Sequence, residues 1–388
     1  MAKRRFKLPG IQDLSKEQED ARALPVEGQH FIVGGPGTGK SILALLRARR
    51  LLQEDTQYVF LVYNQLLNQS SKQLHDGQLK SMQWQSWFMR YYQSMFKESI
   101  PVCPPEGKSN WQEIDWQNVL EKISGVDPPE SRNLTLVIDE GQDMPPEFYR
   151  ALVNLGFDSF FVMADQNQKI QQGLNSARED IEEELAIETD NVIELKNNYR
   201  NKYPVARFAR EFYTGDPASP PPDLPSMTTK SVTIPLCYEY DIVDFENLII
   251  RILKTADRDS SKLIGIFTAH NKDRSKYYAA LKNCSVRLDN PKPFINTFSV
   301  TDRNVINFSQ GGILVINAQT CKGLEFDIVF IADINHFWCN DKSRDNVKRL
   351  FYVMVARAID RVILLKQRGQ YCSVDSILPV DESILERK

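Results

Sequence analysis

Gly34-Gly-Pro-Gly-Thr-Gly-Lys-Ser41 stands between an apolar run, His30 to Val33, and a helix-like segment, Ile42 to Leu52. This is the pattern G-x-x-x-x-G-K-[ST] in the setting it requires, with a strand before it and a helix after. Glycines let the backbone wrap a phosphate, amides at the helix N-terminus point at it, and the helix dipole favours its negative charge. Gly35, Pro36, Gly37, Thr38 and Gly39 are therefore the candidate cradle. Lys40 is expected to pair with the β and γ phosphates of a nucleotide, and the Ser41 hydroxyl to ligate Mg²⁺.

A second run, Leu134-Thr-Leu-Val-Ile-Asp139-Glu140, is an apolar strand ending in adjacent carboxylates. Asp139 can hold the Mg²⁺ shell, and Glu140 can orient and deprotonate an attacking water. Paired acids also close ordinary turns; the upstream loop gives this pair its meaning.

Short apolar runs alternate with longer helix-like segments, the pattern of a parallel sheet covered by helices. His30 to Val33, Tyr58 to Val62, Leu134 to Ile138 and Phe160 to Met163 read as buried strands in the first half. Leu263 to Phe267, Ile313 to Ile316, Ile328 to Ile331 and Arg361 to Leu365 repeat the texture in the second. The fold class is α/β, with two domains over 1–190 and 191–388. Asp216 to Pro225 is too proline-rich for helix or central strand and reads as an extended connection. Glu179 to Asp190 is acidic and reads as a solvated helix face.

Composition agrees with that class. The 388 residues carry 48 Lys+Arg against 51 Asp+Glu, a formal net charge of −3, with 42% hydrophobic and 26% charged residues. Such a chain is globular, not fibrous or wholly disordered, and no uniformly basic nucleic-acid binder, although a local basic groove fits a balanced surface. Six cysteines form no C-x-x-C pair and have no His at metal-ligand spacing, which reads as free thiols in a reducing cytosol. Apolar runs are strand-length, and Met1 to Lys7 is followed by Pro9 and Gly10, so neither a membrane span nor a signal peptide is expected. The expected location is cytoplasmic.

Further motifs follow in a fixed order. Asp139-Glu-Gly-Gln-Asp143 resembles the D-E-x-Q-D motif of superfamily 1 helicases of the UvrD/Rep/PcrA type. Leu14-Ser-Lys-Glu-Gln18 resembles that family's N-terminal element, whose glutamine reads the adenine edge. Ala164-Asp165-Gln-Asn-Gln168 is similar to G-D-x-x-Q, whose glutamine senses the γ-phosphate. Leu195-Lys-Asn-Asn-Tyr199-Arg200 looks like L-x-x-N-Y-R, in which Tyr stacks on adenine and Arg reaches the γ-phosphate. Lys322-Gly-Leu-Glu325-Phe326 resembles K-G-L-E-F, its glutamate on the ribose, and Arg349 to Ala358 resembles the motif with a second arginine finger, here Arg357. The resemblance runs from residue 14 to about 366. It implies two tandem RecA-like P-loop domains with ATP in the cleft between them, and Arg200 and Arg357 stabilising the transition state.

The chain also departs from the family. Gln171, Gln172, Gly173 and Leu174 stand where it has Tyr, Trp and Arg for the strand-binding surface; Gln319 replaces the usual His and Ala356 the usual Thr. Ser41 and Asp139 are 98 positions apart, and Arg200 and Lys322 are 122 apart, with no room for the large accessory subdomains of bigger members.

A single strand needs aromatic platforms beside cations. Tyr63 and Trp84 are the candidates, the latter within Trp84-Gln-Ser-Trp-Phe88 followed by Tyr91 and Tyr92; helical spacing assigns at least half of that cluster to the core. Arg47, Arg49 and Arg50 read equally as a basic contact set or a solvated face. His270 reads as a surface or core histidine; His336, Trp338 and Cys339 follow a strand without an assigned role. The leading expectation is a Mg²⁺-ATP-dependent motor on single-stranded nucleic acid, DNA favoured over RNA, with 3′ to 5′ polarity implied by the resemblance. The alternative is a regulatory P-loop ATPase switch that gates a partner protein such as a nuclease.

Overall fold

The computed structural model describes residues 13–63, 65–74, 79–104, 113–127, 132–168, 175–215, 220–227, 233–299, 305–308 and 310–388. The expectations about Met1 to Gly10, residues 171–174 and the start of the proline-rich stretch lie outside these. The chain divides into two compact units, one formed by 13–34 and 40–195, the other by 35–39 and 196–388.

In the N-terminal unit the strands are β1 (Gln29–Gly34), β2 (Tyr58–Val62), β3 (Ser81–Gln83), β4 (Thr135–Ile138), β5 (Phe160–Ala164) and β6 (Val192–Leu195). They form a parallel sheet in the order β3-β2-β4-β5-β1-β6. Phe31, Ile32, Leu136, Val137, Phe160 and Val162 are buried, as strands covered on both faces require. Register decides the site. Ile138 pairs with Val162, and Val33 with Ala164, so β4, β5 and β1 end side by side at the carboxyl edge.

Two helices flank β1. Helix α1 (Lys16–Ala23) is opened by a reciprocal capping box between Ser15 and Gln18. Helix α2 (Lys40–Gln53) buries Leu43, Ala44, Ala48 and Leu51. Its Arg47 is not a solvated cation. It is buried over the Phe161 ring, donates to Leu24 O at 2.8 Å, and also reaches Pro25 O. Arg50 donates to the carbonyls of Arg22 and Leu24 and to Glu54.

The C-terminal unit holds β7 (Leu236–Tyr240), β8 (Leu263–Thr268), β9 (Ile295–Thr297), β10 (Gly312–Asn317), β11 (Phe326–Ile331), β12 (Ala358–Gln367) and β13 (Glu386–Arg387). The order is β13-β7-β12-β11-β8-β10-β9, again parallel. Helices Phe245–Asp257 and Asn271–Asn283 pack Leu248, Ile252, Tyr277 and Leu281 onto Ile264, Ile266 and Val315. Phe326 pairs with Ala358, which sets the preceding residues, Glu325 and Arg357, at one edge of this sheet. None of the six cysteines is in a disulfide; Cys103 and Cys284 are only half-buried. Among the described residues, no helix is long and apolar enough to cross a membrane.

Candidate functional site: a carboxylate cluster and an arginine cluster

The loops after β1, β4 and β5 converge because their strands are neighbours. Lys40, the first residue of α2, is buried; its Nζ donates to Gly34 O at 2.5 Å and lies 3.8 Å from Asp165 Oδ2. Asp139 and Glu140 follow β4. The Ser41 hydroxyl bonds the Asp139 carboxyl, and Asp139 Oδ1 accepts from Glu140 N at 3.0 Å. Asp139 Oδ2 is buried and accepts no hydrogen bond from the described residues. Burial, then the neighbouring Glu140 charge, push this carboxyl up to about 6 against the opposing pull of Ser41 and Lys40. An acid so placed is poised to exchange its proton for a cation.

Glu140 is buried and has a left-handed backbone, φ 58. Gln142, the glutamine of the D-E-x-Q-D match but given no role from sequence, organises it: Nε2 donates to Glu140 Oε2 at 2.7 Å while Oε1 accepts from Asp165 N at 3.0 Å. Asp165, equally unassigned from sequence, is completely buried, and burial raises its carboxyl. It accepts from Gln168 Nε2 at 2.6 Å and from Asn167 N at 3.0 Å. Lys40, Asp139, Glu140, Gln142, Asp165 and Gln168, all buried, and the half-buried Ser41 thus form one network within the N-terminal unit. Gln18 is not part of that network by any of these bonds; its Oε1 caps Ser15 N at 3.0 Å.

In the C-terminal unit the loop residues 35–39 and the segment around Tyr199 meet. Gly37, at φ 81, accepts from Tyr199 N at 2.8 Å, and its hydrogen faces Asn198 where a Cβ would collide. Thr38 Oγ1 donates to Gly35 O at 2.9 Å. The Tyr199 ring is 57% exposed. With Arg200 it borders a cavity of about 580 Å³ that Lys202, Arg258 and Lys262 also line.

Arg200 Nε donates to Glu325 Oε1 at 2.7 Å, and the guanidinium also pairs with it at 2.5 Å. Arg200 Nη1 is buried without a hydrogen bond to the described residues. The Glu325 carboxylate, expected on a ribose, is here engaged by arginine. Arg357 is 1% exposed, with Nε donating to Val353 O at 3.3 Å. Asn201 holds the two arginine-bearing segments together, donating to Ala356 O at 3.0 Å and also to Ala358 O.

The strand-stacking candidates fare differently. Trp84 is 8% exposed and meets Phe148 edge-on at 4.9 Å, deep in a cluster with Trp87 and Phe88. No face remains for a base, which corrects the expectation at Trp84. Tyr63 is half-buried against the same cluster, and burial followed by the Asp143 charge raises its phenol.

No protein-family model matches the chain, and no curated protein matches it at a significant level. Among solved structures, the chain is similar to the C-terminal domain of a possible DNA helicase from Lactobacillus plantarum WCFS1, at a TM-score of 0.34 and 15% identity over 48% of this chain and 97% of that one.

Proposed function

We propose that the chain is a Mg²⁺-dependent ATP hydrolase of the P-loop class, built of two RecA-like domains and coupled to single-stranded nucleic acid. The observation that carries this reading is the Ser41 hydroxyl on Asp139, with an unsatisfied buried Oδ2 beside them and Glu140 next in the chain. That donor set suits a small, hard divalent cation. Mg²⁺ bound there would neutralise charge on the transferring phosphate. Lys40 binds the phosphates, Glu140 takes the proton of the attacking water, and Gln168 stands beside Asp165 as the phosphate-sensing amide. Arg200 and Arg357 supply positive charge, worth on the order of a thousandfold or more in other phosphoryl-transfer enzymes. Gln18, Tyr199 and Glu325 are the proposed base and sugar contacts, and Tyr63 the proposed strand contact. DNA is favoured over RNA.

Trp84, lost to the core, favours a second reading, a nucleotide switch that gates a partner protein such as a nuclease. ATP turnover measured with and without single-stranded DNA or RNA separates the two. Strand-stimulated hydrolysis, with an affinity that falls log-linearly in salt, supports the motor. Turnover indifferent to any strand supports the switch, and an absence of turnover in the intact chain, unchanged by Lys40→Ala, refutes both.

A further inference from the structure

Asp333 lies beyond the carboxyl end of β11, with a left-handed backbone (φ 48) and no exposed surface. Its Oδ1 accepts from the hydroxyls of Tyr240 and of Tyr277, the latter at 2.9 Å. Its Oδ2 is buried, receives no hydrogen bond from the described residues, and has Lys276 Nζ at ion-pair range, 3.8 Å. One ammonium at that distance, without a hydrogen bond, offsets little of the desolvation of a buried carboxylate. Two further candidate ligands lie beside this carboxylate. Asp273 sits in the first turn of helix Asn271–Asn283, and His336 in the turn after Asp333. His336 Nδ1 lies 3.0 Å from Asp273 Oδ2, and one donor atom from each of the three residues lies within 4.8 Å of the others.

We propose that Asp273, Asp333 and His336 bind a divalent first-row transition ion of the Mn²⁺ or Zn²⁺ type. Two carboxylates balance the double charge, and a neutral imidazole adds the nitrogen that such ions accept more readily than Mg²⁺ does. Donor atoms around an ion of this size sit roughly 3 to 3.5 Å apart, a spacing the His336–Asp273 pair already has. The Tyr240 and Tyr277 hydroxyls both donate to Asp333 Oδ1 and hold the carboxylate in orientation, the usual outer-shell task. Lys276 has another place for its charge, since its Nζ lies 4.1 Å from the centroid of Phe245 and the side chain is 37% exposed. The ion joins the turn after β8 to the turn after β11, at the strand ends where open α/β sheets take ligands. It shares no residue with the proposed nucleotide site.

The test is Mn²⁺ titration of the nucleotide-free full chain, read by electron paramagnetic resonance and by thermal unfolding. An Asp139→Asn background removes the proposed Mg²⁺ ligand. One bound equivalent and a rise in Tm are expected, with His336→Ala and Asp273→Asn each weakening affinity at least tenfold and abolishing the Tm shift. Both substitutions lie outside the apolar core, so folding of the variants is checked by their metal-free Tm. Binding unchanged by both substitutions, or no Mn²⁺ bound at all, overturns the site. A parallel Zn²⁺ titration whose stoichiometry survives both substitutions but vanishes on thiol alkylation assigns that ion to the free cysteines and equally refutes it.

Discussion

Gln142→Met tests whether the Gln142 amide positions the proposed base. The substitution keeps the length and apolar contacts of the side chain and deletes both of its hydrogen bonds, 2.7 Å to Glu140 Oε2 and 3.0 Å from Asp165 N. A bond to a charged group contributes about 1.5 to 3 kcal/mol, and a neutral one about 1 kcal/mol. Glu140 adds its own demand, because a non-glycine residue at φ 58 holds backbone strain of about 1 to 2 kcal/mol that its partners must offset. Summed, folding stability should fall by about 2 to 4 kcal/mol. If the charged bond is what aims Glu140, its loss corresponds to about a ten- to hundredfold fall in kcat at 1.4 kcal/mol per decade. The KM for ATP should stay within about threefold, since Gln142 bonds no proposed nucleotide contact. The assay is steady-state ATPase with a parallel nucleotide-binding titration. A kcat within threefold of the parent, in a variant whose thermal midpoint has fallen, would show that the amide serves stability alone and would refute the positioning argument.

Glu140→Gln should retain nucleotide affinity and lose about a hundredfold or more in single-turnover hydrolysis, the scale of a general base; unchanged turnover removes it from that role. Asp139, its carboxyl raised to about 6, must release a proton to hold Mg²⁺. Mg²⁺ affinity should therefore fall about fivefold between pH 6 and pH 5, and a pH-independent affinity in calorimetric titration contradicts the assignment. The sign for stability is the opposite of a salt-bridged acid. The folded state holds this proton more tightly than the unfolded one, so Asp139's contribution to stability declines as pH rises from about 4 to about 6. Asn201→Ala removes donors to the carbonyls of Ala356 and Ala358. It should destabilise the C-terminal unit by about 1 to 3 kcal/mol, and an unchanged denaturant midpoint would show the two segments are held by other means.

The central strands are legible in the sequence because each is a short apolar run. Tyr58–Val62 is read residue for residue, and Leu134 to Ile138 differs from β4 by one position. The strands that escape reading are Ser81–Gln83, Val192–Leu195, Leu236–Tyr240, Ile295–Thr297 and Glu386–Arg387, short segments whose identity is set by the neighbour they pair with. β12 extends beyond its apolar middle, since Ala358 to Asp360 join the sheet without looking like a strand. Lys40, Ser41, Asp139 and Glu140 stand out in the sequence because loop and strand chemistry mark them locally. Gln142 does not, because its partner amide is 23 residues away and meets it only through the β4–β5 register. Trp84 misleads for the converse reason. An aromatic at helical spacing carries the same letters whether its ring faces solvent or, as here, Phe148.

The clasp of Arg47 and Arg50 on the carbonyls of Arg22, Leu24 and Pro25 makes one helix conditional on another. At eight residues, α1 is below the length at which a helix persists alone in water. Its open C-terminal carbonyls are completed by side chains that belong to α2. The order of assembly is therefore directional. On this argument the phosphate-loop helix should dock on its sheet before α1, and α1, which also packs on β6, should form with Gln18 after α2 is seated. Opening of the native state should follow the same hierarchy in reverse, with amides of 16–23 exchanging before those of β1.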